Sequence, residues 1–188
     1  MTEEMNTSAL RMPKSFEDVT EAILLDEDWY EMRLIKKALL PNGALKKYIA
    51  DEGIKAKTPD ELYSVAAAAK DFTAESYGKV QVAGLNYMLS VKTVSQDKMV
   101  NGRAFRIYLP VPNVGDDKKV TPLGQTVEDS KMEKIGKHLI AFGQLAEGDQ
   151  ADFTPGDSAM FYVVQRFSDF SGKDENTIDI GNEPQPVV

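Results

Sequence analysis

The segment NGRAFRIYLPVP, residues 101–112, sets Arg103 and Arg106 among Phe105 and Tyr108. Cationic side chains hold phosphates and aromatic faces accept unstacked bases, so this mixture on an extended segment is suited to gripping a single nucleic-acid strand without reading its sequence. Comparable material recurs along the chain. Trp29 stands four residues before Arg33, Tyr162 four before Arg166, and Lys92 ends an alternating apolar run that starts at Leu85. The candidate contacts are Arg33, Lys92, Arg103, Arg106 and Arg166 for phosphate, with Trp29, Tyr108 and Tyr162 for stacking. The same residues also fit a plainer reading, in which amphipathic strands rest cationic side chains on rings.

Other chemistries find little material. The chain has no cysteine and a single histidine, His138, so thiolate nucleophiles, thiolate metal sites and multi-histidine centres are excluded. A phosphate-binding loop of the GxxxxGK[ST] kind needs glycine where Lys131 stands and Ser or Thr where His138 stands. Gly156-Asp157-Ser158-Ala159-Met160 begins like a nucleophile elbow but has methionine at the second glycine position. Asp169, Asp174, Glu175 and Asp179 gather near one turn without the spacing of a calcium loop. The expectation is a protein that is not an enzyme and that has no cofactor and no metal.

Of the 188 residues, 42% are hydrophobic, enough for one domain with a buried core. The net charge of −8 is unevenly spread: residues 1–30 carry eight acidic and two basic side chains, residues 31–106 thirteen basic and eight acidic. Overall acidity argues against a protein that coats duplexes, while the central basic excess leaves room for a local anion-binding groove. The N-terminus is acidic where a signal peptide is basic, and no run of about 18 apolar residues occurs. The chain is therefore expected to be cytoplasmic, with no membrane partner.

The spacing of apolar residues indicates which elements would carry the candidates. Residues 1–23 lack periodicity and read as a flexible arm. DWYEMRLIKKALL alternates as a strand, with Tyr30, Met32 and Leu34 on one face and Trp29, Glu31 and Arg33 on the other. Residues 44–76 read as a helical insertion, the clearest start being the capping box Thr58-Pro59-Asp60-Glu61. Leu85–Lys92 and Arg103–Leu109 read as a hairpin, Met132, Ile135, Leu139, Phe142 and Leu145 as one face of a helix ending near Gly148, and SAMFYVVQRFSDF and NTIDIG as two closing strands. Gly136 and Gly143 fall near that helix face and suggest close packing on a sheet.

With the insertion set aside, three strands, a helix and two strands remain. This is the order of a five-stranded OB-like barrel with a helix between strands three and four, and a generic α+β sandwich gives the same string. Trp29-Tyr30-Glu31-Met32 in the first strand, Gly102-Arg103 opening the third and Asn176-Thr177-Ile178 in the last resemble the recurring marks of small phage- and plasmid-encoded OB-fold single-stranded DNA-binding proteins. The resemblance spans residues 24–40 and 80–181. The insertion at 44–76 and the apolar ending GNEPQPVV depart from it.

The resemblance implies one OB-like domain over residues 24–181, a tail at 182–188, and a non-enzymatic role in DNA replication or recombination with single-stranded DNA as partner. A virion or protein-interaction module, docking through residues 44–76 or forming a homo-oligomer, is the alternative.

Overall fold

The computed structural model describes residues 23–76, 78–144 and 151–188. The arm expected at 1–23, apart from Ile23, and the end of the last helix at Leu145–Gly148 lie outside the described residues. The molecule is mixed α+β. Its main sheet has six antiparallel strands in the order β5-β4-β1-β6-β7, with a short β8 beside β6: β1 (Asp28–Pro41), β4 (Leu85–Thr93), β5 (Ala104–Pro110), β6 (Ser158–Ser168), β7 (Lys173–Ile178) and β8 (Gln185–Pro186). Two further strands, β2 (Thr73–Ser76) and β3 (Lys79–Val82), form a separate hairpin. The helices are α1 (Gly43–Asp51), α2 (Pro59–Ala68) and α3 (Val127–Ala141). No described helix is long and apolar enough to cross a membrane.

The strands follow from alternation. Met32 and Leu34 of β1, Leu89 and Val91 of β4, Ile107 and Leu109 of β5, and Ala159, Phe161 and Val163 of β6 all face one core, closed by Ile135 and Leu139 of α3 and Phe142 at its C-cap. Met32, Leu34, Leu89, Leu109 and Phe161 are almost wholly removed from water, each contributing about 1.5–3 kcal/mol of burial. Leu25 plugs the end of this core. Its backbone N–H donates to Asn176 Oδ1 at 2.7 Å, and its carbonyl accepts from Asn176 Nδ2 and Gln165 Nε2, each at 2.9 Å.

The strand β1 carries a bulge. Leu34 pairs with Val91 and Lys36 with Ser90, leaving Ile35 as the extra residue. Simple alternation fails beyond this point: Lys36 joins the outer face, while Lys37 turns inward to an ion pair with Asp152 at 2.5 Å and lies over the Tyr87 ring.

The insertion is more than helical. Its capping box forms as the sequence indicates, with Thr58 Oγ1 accepting from Glu61 N and the Glu61 carboxylate accepting from Thr58 N. After α2, however, the chain forms the β2–β3 hairpin, which the sequence reading passes over. Leu45, Leu62, Ala66, Ala69 and Ala74 build a second core against Leu85 and Val111 at the end of the main sheet. The alanine run provides the small faces that permit this approach. Asn42 ties the parts together: its Oδ1 caps α1 by accepting from Leu45 N at 2.9 Å and also accepts from Gly84 N, while its Nδ2 donates to the Val82 carbonyl. A Cβ at Gly43 would meet Ser76 Cβ at 2.9 Å, so the hairpin's closeness requires glycine there.

Three further sequence expectations change. Met132 is half exposed, and the buried face of α3 is instead Ile135, His138 and Leu139 with Phe142 at the C-cap. Gly136 faces open space, and Gly143 adopts φ 76° after the helix, so neither serves close packing on the sheet. The last turn lies before Lys173, and residues read as the turn GKDE begin β7. The chain ending also enters the sheet: β8 pairs with Ala159 and Met160, and Glu183 bonds Lys137 at 2.6 Å.

Two measurements test these packing assignments. Asn42→Ala removes a cap and two tertiary bonds together, and is expected to lower unfolding free energy by about 2 kcal/mol in urea titration. His138 is buried beside Phe161, with Nδ1 at 2.8 Å from the Lys134 carbonyl; burial is the main cause of a pKa held below the ordinary 6.5, with the Lys134 charge adding to it. The unfolded chain then takes up the proton first. Stability is full above about pH 6.5 and declines as pH falls below it, and His138→Gln should flatten that decline in urea midpoints measured from pH 7 to 5.

Candidate nucleic-acid interface

The outer face of the main sheet can be read in rows across the strands. Lys92 of β4 stands directly opposite Arg33 of β1, with Ala104 of β5 on its other side. In the next row, Ser90 lies between Lys36 of β1 and Arg106 of β5. One row further, Met88 lies between Ala38 and Tyr108. Four cations thus occupy two adjoining rows, and Tyr108, 49% exposed, borders them.

Like charges directly opposite on antiparallel strands are destabilising. Arg33 and Lys92 nevertheless face each other, and among the described residues neither they nor Lys36 and Arg106 form an ion pair. The exposed positions keep the cost small, because water and salt screen charges there. The result is a concentrated positive surface. Lys36 belongs to it although the candidate set omitted it. Only the bulge at Ile35 brings it round, and a run of alternating residues contains no signal for a bulge.

The other candidates are placed differently. Trp29 lies opposite Tyr162 on the same outer face, their rings meeting edge to face at 5.5 Å. Glu31 stands on this face between Trp29 and Arg33. Arg166 is already engaged, its guanidinium donating to Asp179 at 2.8 Å. The structure therefore brings Arg33, Lys92, Arg106 and Tyr108 together, and sets Trp29, Tyr162 and Arg166 apart in acidic surroundings.

Arg103 follows the parity of the core face, as its alternation with Phe105 and Ile107 requires. It sits half-buried at the mouth of a cleft of about 650 Å³ between the unpaired edges of β5 and β7, lined also by Leu24, Phe105, Lys173 and Glu175. Thr93, fully buried, holds its backbone: Thr93 Oγ1 accepts from Arg103 N at 2.8 Å and donates to the Val100 carbonyl. Asn101 and Asp97 bind Ser95 N and Met99 N in the same loop. The four carboxylates near the last turn do not come together as a metal site, and among the described residues no group of three or more potential ligands does.

No protein-family profile matches this chain, and no curated protein matches it at a significant level. Thr93→Val keeps the volume and removes the hydroxyl, leaving Arg103 N–H and the Val100 carbonyl without this partner. A loss of about 1–3 kcal/mol is expected, with faster amide exchange at Arg103 in a hydrogen-exchange experiment.

Proposed function

We propose that this chain is a non-enzymatic single-stranded DNA-binding protein, of the kind phages encode for replication or recombination, built on an OB-like barrel with one open seam. The observation that carries the reading is the cluster of Arg33, Lys36, Lys92 and Arg106 on one sheet face, without carboxylate partners among the described residues and bordered by exposed Tyr108. A polymer with regularly spaced phosphates supplies the missing counter-charge, and an exposed phenol ring offers a base a stacking face. A sheet face of this kind does not enter a duplex groove as a helix does, and the acidic remainder of the chain repels a bulk polyanion approaching elsewhere.

The strand order supports the architectural half of the reading. Read as five strands, β1, β4, β5, β6 and β7 run in the sequence order of an OB barrel, with α3 between the third and the fourth. Pairing of the β5 and β7 edges would close it, and partly open barrels belong to that class. The insertion packs its core at the Leu85–Val111 end, away from the rows of Lys92 and Arg106.

Fluorescence anisotropy of labelled oligo(dT) at two salt concentrations, with duplex DNA as competitor, tests the proposal. Binding should be salt-sensitive and resist duplex competition. Arg33→Ala, Lys92→Ala and Arg106→Ala should each lower the slope of log affinity against log salt by about 1. Tyr108→Ala should weaken binding by about 1–3 kcal/mol with an unchanged slope. Arg166→Ala, its charge already paired with Asp179, should change the slope least. Absence of binding at low salt with micromolar protein would end this reading.

A further inference from the structure

The bulge residue Ile35 occupies an unusual place. It is 46% exposed, and it stands in β1 between the outward-facing cations Arg33 and Lys36. A hollow of about 460 Å³ opens there, lined by the cations Lys92 and Arg106, by Ser90, and by the apolar side chains of Ile35, Phe105 and Ile178. Its size lies within the range that small organic groups occupy. Single exposed apolar residues are ordinary on protein surfaces. This one differs in standing on a bulge, a device that re-aims a side chain, and in lining a hollow whose rim carries two cations without ion-pair partners among the described residues.

A purely phosphate-binding surface has no use for an apolar floor. A chain in which flat, weakly hydrated rings alternate with phosphates matches both parts. We propose that the hollow at Ile35 takes one nucleobase of a bound single strand, with the isoleucine side chain as its apolar platform and Lys92 and Arg106 holding the phosphates on either side. This rests on the strand-binding reading above and adds to it a specific base slot, distinct from the stacking face of Tyr108. Ser90, which lines the hollow between Lys36 and Arg106, offers a hydroxyl that can donate or accept, so the slot tolerates any base.

The test compares two labelled 15-mers in anisotropy titrations of the full chain: oligo(dT) and an abasic oligomer with the same phosphates. The wild-type protein should prefer oligo(dT). Ile35→Ser should lose about fivefold or more on oligo(dT), the lower end of the energy of one base contact, and leave abasic binding and the salt slope unchanged. Ile35→Leu should restore most of the loss, and superimposable thermal melts for both variants would exclude a folding defect. If Ile35→Ser weakens both oligomers equally, or neither, the slot is wrong while strand binding stands. If polyglutamate competes as well as oligo(dT), and the wild type does not distinguish the two oligomers, the surface takes anions in general and the slot falls. If the wild type binds neither oligomer, the slot falls together with the reading beneath it.

Discussion

The fold depends on one strand serving two neighbours that scarcely overlap on it. Asp28–Arg33 of β1 pairs with β6, and Met32–Pro41 pairs with β4, so only Met32 and Arg33 have a register partner in both neighbouring strands. A strand shared in this offset manner makes its sheet coil, because each neighbour must follow a different half of a twisted ribbon. At the point of exchange, Leu34 gives its backbone to Asp157 and Gly156 at 2.8 Å each, and Ile35 is left over as the bulge. The coiling brings β5 and β7 to either side of one cleft, encloses the apolar faces, and gathers Arg33, Lys36, Lys92 and Arg106 on the outside.

The helical insertion shows how a long connection joins a sheet without disturbing it. Its residues bury their own small core of leucine and alanine against the end of β4, so it adds apolar burial rather than a free-standing arm. Two polar clamps, Asn42 and Asn113, hold it, and Asp116 braces the loop that carries the second. Asn42 spans β1, α1 and the β3–β4 link. Asn113 Nδ2 donates to the Ala66 carbonyl at 3.1 Å, reaching α2 from the loop after β5. Asp116, buried in that loop, accepts from Asn113 N at 2.8 Å and from Lys131 Nζ of α3 at 2.7 Å. A buried carboxylate is tolerated only with such partners, and removing one of them leaves an uncompensated charge. Asn42 and Asn113 thus tie the insertion to the main sheet and its loops.

The charges divide in a way that the net value of −8 conceals. Lys37, Lys131, Lys137 and Arg166 are each bonded to a carboxylate, and they belong to the mechanics of the fold. Arg33, Lys36, Lys92 and Arg106 face outward together, and their mutual repulsion, kept small by water and salt, adds nothing to the stability of the fold. Sequence cannot separate the two groups, since lysine and arginine look alike whether or not a carboxylate approaches from a distant element.

Much of the architecture was nonetheless legible. Period-two alternation located β1, β4, β5 and β6, and the Thr58–Glu61 capping box located the start of α2, because these signals are local and depend on the geometry of a single element. The four-residue strands of the β2–β3 hairpin were too short to show a period, and Met132 kept an apolar spacing without a surface to cover. Within the candidate site, alternation was enough to put Tyr108 on the same strand face as Arg106, and Trp29 on the same face as Arg33, but not beside it. It could not reveal that Asp179 neutralises Arg166, that the bulge brings Lys36 round, or that Ile35 stands between the cations. By itself the sequence determined which residues could share a face of a strand, since that follows from the backbone's own periodicity. Which faces became one surface, and which charges on it found partners, was decided only by tertiary structure, because register, bulges and ion pairs come from contacts between segments far apart in the chain.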